Sequence, residues 1–204
     1  MNFVEHNSLG SVMRTESPVA IGTVLSGHRS ADLERLFDQC FFARWNTLLQ
    51  GGGNEPQYLP GIANQPHRLI YRENFFASAL HETAHWCIAG AQRRRQADFG
   101  YWYLPDGRDA AAQREFEVVE ARPQALEWVF SVAAGYPFRP SADNLSGAAG
   151  DGEAFGQAVV SALFRYLEHG LPPRAARFAD ALGAAYGSGD WRRPERYRPG
   201  LAQR

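Results

Sequence analysis

The sequence predicts a single α+β domain that is mostly helical and contains a small sheet. Apolar residues recur at helical spacing in several long segments. Two short runs, Tyr58-Leu59 and Arg68-Leu69-Ile70-Tyr71, are strand candidates separated by turn-forming Pro and Gly. The 204 residues contain no internal repeat and no domain-sized linker, so one domain is the expected organisation.

The elements are predicted as follows. A first helix has Ser30 as its N-cap and continues to about Gln50, where the glycines at 51–53 form a stop and turn. A second helix runs from about Asn74 to Gly90, and it carries the pattern on which the functional prediction depends. Three more helices are expected: from about Ala110 to Phe130 with a kink or restart at Pro123, from Glu153 to Glu168, and from Pro172-Pro173 to about Tyr186.

The chain divides into three parts in this interpretation. Residues 1–28 lack periodicity and are expected to be a flexible leader. Residues 29–187 are expected to form the catalytic domain. Residues 188–204 form an Arg- and Pro-rich tail that is expected to pack poorly.

Composition excludes several function classes. The formal net charge of −1 gives no general reason to expect nucleic-acid binding. No run of about 18 apolar residues predicts a membrane helix, and no basic segment followed by an apolar one predicts a secretory signal. Cys40 and Cys87 both lie among apolar residues, which favours buried free thiols. A cytoplasmic protein is therefore expected.

The sequence His81-Glu82-Thr83-Ala84-His85 is the most informative motif of the chain. Residues four apart on a helix lie one above the other on the same face. Two imidazoles in that arrangement can bind one transition metal through a ring nitrogen each. The motif therefore predicts a metal site on the second helix.

A useful metal site needs a third ligand, and the downstream carboxylates are the candidates. Glu117 and Glu120 lie three residues apart and share a helix face near Pro123. Glu120 is the first choice and Glu117 the alternate. Glu115 and Glu127 are the other carboxylates in this region.

Two chemistries fit this ligand set. With Zn²⁺, Glu82 would be the general base of a hydrolase of peptidase or ribonuclease type. With Fe²⁺, two His and one carboxylate form a facial triad that leaves coordination positions for O₂ and a substrate. Glu82 would then orient one of the metal ligands without binding the metal itself. The five-residue motif alone favours zinc hydrolysis.

Several motifs in a fixed order change that preference. They are FASALHETAHWCIAG at 76–90, DFGYWY at 98–103, PDGRD at 105–109, PQAL at 123–126, AAGYPF at 133–138 and DNL at 143–145. Together they resemble the bacterial elongation factor P hydroxylase family. The resemblance extends more weakly from about residue 33 to 178, and it leaves out residues 1–28 and the chain after about residue 186.

The resemblance implies hydroxylation, with O₂, of a lysine on translation elongation factor P that already carries a β-lysyl group. It implies Fe²⁺ at His81, His85 and Glu120, although Zn, Mn, Co or Ni could occupy such a site. It also implies a fold like that of a metal-dependent ribonuclease, not the double-stranded β-helix of most iron oxygenases. The sequence has no H-x-D pair on a strand, as that β-helix class would require.

A long cationic substrate arm calls for carboxylates and aromatic faces. The candidates are Asp98, Tyr101, Trp102, Tyr103, Asp106 and Asp109, and Arg108 is a candidate for an anionic cosubstrate. Two alternatives stay open at this point. One is the zinc hydrolase, and the other is a non-catalytic module that binds elongation factor P through a vestigial metal site.

Overall fold

A computed structural model describes residues 24–97, 109–141 and 152–197. Within these residues the chain forms helices and one three-stranded sheet, which confirms the predicted mostly helical α+β class. The helices are α1 Ser30–Trp45, α2 Phe76–Ile88, α3 Ala110–Ala134, α4 Gly152–His169 and α5 Pro173–Tyr186, and the strands are β1 Thr47–Gly53, β2 Gln57–Leu59 and β3 His67–Arg72. Short 3₁₀ helices lie at Arg93–Arg95 and Pro194–Arg196.

The sheet has the order β1-β3-β2, with β3 parallel to β1 and antiparallel to β2. Both predicted strand segments are present, as β2 and β3. Because β3 ends only a few residues before α2 begins, the central strand leads directly into the helix that carries the HExxH motif.

The first helix is shorter than predicted. It ends at Trp45, where Asn46 adopts a left-handed conformation, and residues 47–50 pair with β3 and do not continue the helix to Gln50. The leucines that suggested helical spacing fit a half-buried strand equally well, so sheet pairing decides between the two structures.

The prediction of a glycine turn at 51–53 is also wrong, because these residues belong to β1. At Gly51 an added Cβ would lie 2.5 Å from Asn74 Oδ1 and 2.7 Å from the Tyr71 hydroxyl. The absence of a side chain therefore allows close packing of β1 against the start of α2.

Helix α3 is continuous through Pro123, so the predicted restart does not occur. Asp109 caps its first turn by accepting hydrogen bonds from the backbone N–H groups of Ala111 and Ala112 at 3.0 and 2.9 Å. Gly135, in the left-handed conformation, ends it.

Helix α2 lies in the middle of the fold, in contact with α1, α3, α5 and the sheet. Its inner face is apolar and fully buried at Ala79, Leu80 and Ala84. The Trp86 ring packs against Phe37 and Phe41 of α1, with ring centroids 5.0 and 4.8 Å apart. This packing fixes α2 in place, so side chains on its other face are held in a defined orientation.

The described ends of the chain pack on this core. The His28 ring contacts Phe76, Tyr136 and Tyr186, with centroid distances of 5.1 to 5.3 Å. Trp191 and Tyr197 are buried, so the expectation of a poorly packed tail is wrong for these two residues. In the described ranges we find no helix with the length and apolar character needed to cross a membrane.

Candidate metal centre

His81 and His85 lie on the same face of α2, as their spacing predicts. Their ring centroids are 4.7 Å apart and their Nε2 atoms are 3.1 Å apart. Both side chains are partly exposed, in contrast to the buried face that anchors the helix. The two nitrogens therefore converge on one point outside α2.

Glu120 of α3 reaches the same point from the opposite side. Its Oε2 lies 3.5 Å from His81 Nε2, and its Oε1 lies 3.2 Å from His85 Nε2. The carboxylate is buried, and the three residues each offer a ligand atom within 4.8 Å of the others. They form a possible metal site that joins two helices.

The donor set fits a single transition-metal ion. Around an ion with bonds of about 2.1 Å, donor atoms lie about 3.0 Å apart at right angles and about 3.4 Å apart at the tetrahedral angle. The Nε2–Nε2 separation of 3.1 Å and the His85 Nε2–Glu120 Oε1 separation of 3.2 Å fall in that range, and the His81 Nε2–Glu120 Oε2 separation of 3.5 Å lies just above it. Imidazole nitrogens and one carboxylate suit zinc, non-haem iron and related divalent metals more than Mg²⁺ or Ca²⁺.

Glu127, two turns after Glu120 on α3, orients one of the imidazoles. Its Oε2 lies 2.8 Å from His81 Nδ1. An ionised carboxylate only accepts hydrogen bonds, so Nδ1 is the protonated nitrogen and Nε2 can offer its lone pair to a metal. From the sequence, Glu127 is only one of four candidate carboxylates. The spacing of seven residues from Glu120, which puts both on one helix face, was the signal that could have identified it.

The carboxylates also set the charge of the site without metal. Burial on its own lowers the pKa of His81, but the hydrogen bond and charge of Glu127 and the charges of Glu120 and Glu82 outweigh it and raise that pKa to about 10. Burial raises the pKa of Glu82, while the two imidazoles oppose the shift. A metal ion at Nε2 therefore takes the place of a proton that the carboxylates stabilise.

The remaining predicted residues are placed as follows. Glu82 is buried and lines the cavity next to the metal cluster. Glu117, the alternate ligand, is outside the cluster and accepts a hydrogen bond from Gln113 Nε2 at 3.0 Å. Asp109 serves as the helix cap and is absent from the cavity lining described below. The candidates Asp98, Tyr101, Trp102, Tyr103, Asp106 and Arg108 lie outside the described residues.

A cavity of about 520 Å³ opens at the metal cluster. Three carboxylate residues, Glu82, Glu120 and Glu127, lie at its floor, and the aromatic residues Tyr58, Trp86 and Phe116 also line it. Four arginines also line it: Arg72, Arg93, Arg94 and Arg139. The cavity has the size of a small-ligand site, large enough to admit a long side chain.

Two arginines stabilise the C-terminal end of α2. The Arg174 guanidinium donates to the backbone carbonyls of Trp86, Cys87 and Ala89 at 3.0, 3.0 and 2.6 Å and stacks over the Trp86 ring at 4.8 Å. Arg94 also donates to the Ala89 carbonyl. Because the last carbonyls of a helix lack partners within it, these cations complete the helix that carries both histidines. Arg174 is not predicted from the sequence, because it is distant from α2 in the chain.

Comparison with known proteins agrees with this geometry. Residues 36–195 match the protein family described as elongation factor P hydroxylase. A relative from Haemophilus influenzae (strain ATCC 51907 / DSM 11121 / KW20 / Rd), named elongation factor P lysine hydroxylase, is 49% identical over 164 residues, which are 80% of this chain and 92% of the relative. Neither name describes a hydrolase, so the comparisons do not favour the zinc hydrolase alternative.

Proposed function

The chain belongs to the elongation factor P hydroxylase family, and on that premise we propose that it hydroxylates a lysine side chain of elongation factor P. The observation that carries the proposal is the cluster of His81, His85 and Glu120 at the floor of an open cavity. A family match identifies relatives, whereas the cluster supplies the side chains with which this chain could bind a metal for the oxidation. Hydroxylation of an unactivated carbon needs chemistry that amino-acid side chains do not supply.

The proposed metal is Fe²⁺, bound by His81, His85 and Glu120. When bound, it supplies the activation of O₂ for insertion of an oxygen atom into a C–H bond. Two His and one carboxylate leave coordination positions open, as a reaction with O₂ requires. The same donors would also bind zinc, manganese, cobalt or nickel, so metal identity has its own test below.

The chain's own residues prepare the site in this proposal. Glu127 accepts a hydrogen bond from Nδ1–H of His81, so the Nε2 lone pair of His81 faces the cluster. Glu82, buried beside both imidazoles, supports the ligands without acting as a hydrolytic base. The packing of Trp86 against α1 fixes the position of α2, so the distance from each histidine to α3 is also fixed.

The substrate arm in this proposal is lysine already extended by a β-lysyl group. Such an arm is long and carries positive charge, which suits a cavity with carboxylates at its floor. Tyr58, which also lines the cavity, offers an aromatic side chain to the methylene chain. Together these contacts would hold the arm across the metal cluster.

The function is tested by the intact mass of elongation factor P after incubation with the purified protein, ferrous iron and a reductant in air. We expect a gain of one oxygen atom's mass on β-lysylated factor, and none with His85→Ala protein or without O₂. Unmodified factor serves as the comparison for the β-lysyl requirement. No gain with the wild-type protein under these conditions would contradict the proposal.

The metal is tested by elemental analysis after anaerobic purification. We expect iron bound near one per chain, and activity restored to the stripped protein by Fe²⁺ but not by Zn²⁺. Tightly bound zinc together with a Glu82-dependent hydrolase activity would favour the alternative chemistry. An inert protein that still binds elongation factor P would favour the non-catalytic module.

A further inference from the structure

The chain reverses direction after α3. Gly135, in the left-handed conformation, ends the helix, and residues 136–141, here called the return segment, run back along it. The Phe138 ring is buried and stacks against the Trp128 ring, with the centroids 5.0 Å apart and 15° between the ring planes. This contact attaches the middle of the return segment to α3.

Gln124 attaches the end of the return segment. Its Nε2 donates to the backbone carbonyl of Ser141 at 2.6 Å, and its Oε1 accepts from the backbone N–H of Ser141 at 3.0 Å. One side-chain amide thus pairs with both backbone groups of one residue, as neighbouring strands do. Gln124 is only 2% exposed, so these two hydrogen bonds are shielded from competing water and are costly to lose.

Gln124 belongs to the face of α3 that lines the cavity. Glu120 lies four residues before it and Glu127 three residues after it, and side chains at these spacings share one helix face. Gln124 and Ser141 both line the cavity, and so does Arg139 of the return segment. The two hydrogen bonds therefore fix a part of the cavity lining that has no helix or strand of its own.

A segment without secondary structure binds a ligand well only when it is held in place. A wall that had to become ordered on binding would subtract its loss of conformational entropy from the affinity for the ligand. The substrate arm of the proposed function is itself long and flexible, so it already loses rotamer freedom when it binds. A wall that is fixed beforehand limits the total loss.

We propose that the return segment is a pre-ordered wall of the substrate site, and that Gln124 is the residue that positions it for the incoming lysine arm. The inference rests on the proposed function, because it takes that arm as the ligand. Gln124 is a positioning residue: it acts through the backbone of Ser141 and takes no part in the oxidation. Its hydrogen bonds set the affinity for the arm, while the metal cluster sets the chemistry.

The test is Gln124→Met, which keeps the length of the side chain and removes both hydrogen bonds. In steady-state hydroxylation of full-length, β-lysylated elongation factor P, we expect KM to rise by about tenfold, the equivalent of one or two hydrogen bonds. We expect kcat to stay within about twofold, because the wall is ordered again once the substrate is bound. Metal affinity, titrated with Co²⁺, should stay within about threefold, since Gln124 lies outside the metal cluster.

Gln113→Met is the matched control. Gln113 is a buried glutamine on the same helix, it donates to Glu117 at 3.0 Å, and it is absent from the described lining of the cavity. Its loss should lower stability to a similar extent and leave KM unchanged. An unchanged KM in Gln124→Met, or an equal rise in the control, would overturn the inference. A parallel loss of kcat and metal affinity in Gln124→Met would overturn it too, because that result indicates general damage to α3.

Phe138→Ala releases the return segment at its other attachment, and it keeps the inference testable if Gln124→Met fails to fold. Neither Phe138 nor Trp128 is in the described lining of the cavity, so a change in KM here acts through the position of the wall and not through a lost contact with the arm. We expect KM to rise by about three- to tenfold. The double variant should show less than the product of the two single effects, since both release the same segment. An unchanged KM in Phe138→Ala would contradict the inference.

Hydrogen exchange of the protein without substrate separates this inference from the proposed function. Peptides that cover residues 136–141 should exchange faster in both variants than in wild type. If wild type does not hydroxylate the factor, the proposed function fails, and the wall is judged by this exchange and by the Kd of the factor from calorimetry. If wild type hydroxylates the factor and the variants exchange or bind as wild type does, only the wall is wrong. Circular dichroism of each variant verifies that it is folded.

Discussion

The two helices that form the candidate metal site contribute to it in different ways. Helix α2 supplies His81 and His85 from a five-residue motif, and its other face is fixed in the apolar core. Helix α3 supplies Glu120 and Glu127 from positions seven residues apart, with neither in a motif of its own. A local sequence pattern can therefore indicate a metal site. The residues that complete the site and orient its ligands are identified only when a second helix packs against the first.

The largest effect is expected when a ligand is removed from either helix. His85→Ala and Glu120→Ala should both weaken metal binding by more than about 100-fold, because even residues that only orient a ligand are worth about 10- to 100-fold. Calorimetric titration of the stripped protein with Co²⁺ measures this, and circular dichroism verifies folding. If Glu120→Ala bound metal as wild type does, α3 would supply no ligand to the site.

A smaller effect is expected from the orienting residue of α3. Glu127→Gln keeps the shape but removes the charge that fixes the His81 tautomer, so metal affinity should fall by about 10- to 100-fold. The same titration measures it. Glu117→Gln, on the same helix but outside the cluster, is the control and should change affinity less than threefold, on the order of a surface substitution. Equal losses of metal affinity in both variants would mean that Glu127 acts only through its negative charge and not through its hydrogen bond to His81.

The third prediction tests how α2 is held. Arg174→Ala should lower the free energy of unfolding by about 2 to 4 kcal/mol, since it removes charged hydrogen bonds to three terminal carbonyls. Urea denaturation of the metal-free protein measures the change. Arg165→Ala on α4 is the control, expected within about 0.5 kcal/mol of wild type. A matching small effect at Arg174 would show that packing alone positions α2.

The smallest expected signal comes from two buried thiols, Cys87 on α2 and Cys40 on α1. Burial raises the pKa of Cys87 well above its usual range and also raises that of Cys40. A raised thiol pKa leaves less thiolate at a given pH, so neither should react with a thiol reagent at pH 8 in the folded protein. Both should react within seconds in guanidinium. Rapid reaction of either thiol in the native protein would mean that the core around α2 opens readily.

The sequence allowed prediction of the elements whose signals are local. The helical spacing and the motif at 81–85 gave α2 and the relation between its two histidines. The end of α1 was wrong because Leu48 and Leu49 fit a helix or a half-buried strand, and only pairing with β3 decides between them. Glu127 and Arg174 were missed because each acts across a packing interface, on residues 46 and more than 80 positions away.

Pro123 lies within α3, between Glu120 and Glu127, and the helix continues through it. A proline has no N–H group, so the carbonyl of Val119, four residues earlier, is deprived of the donor that an uninterrupted helix would give it. Val119 and Pro123 both line the cavity. The consequence is that α3 lacks one backbone hydrogen bond next to Glu120, in the part of the helix that lines the cavity.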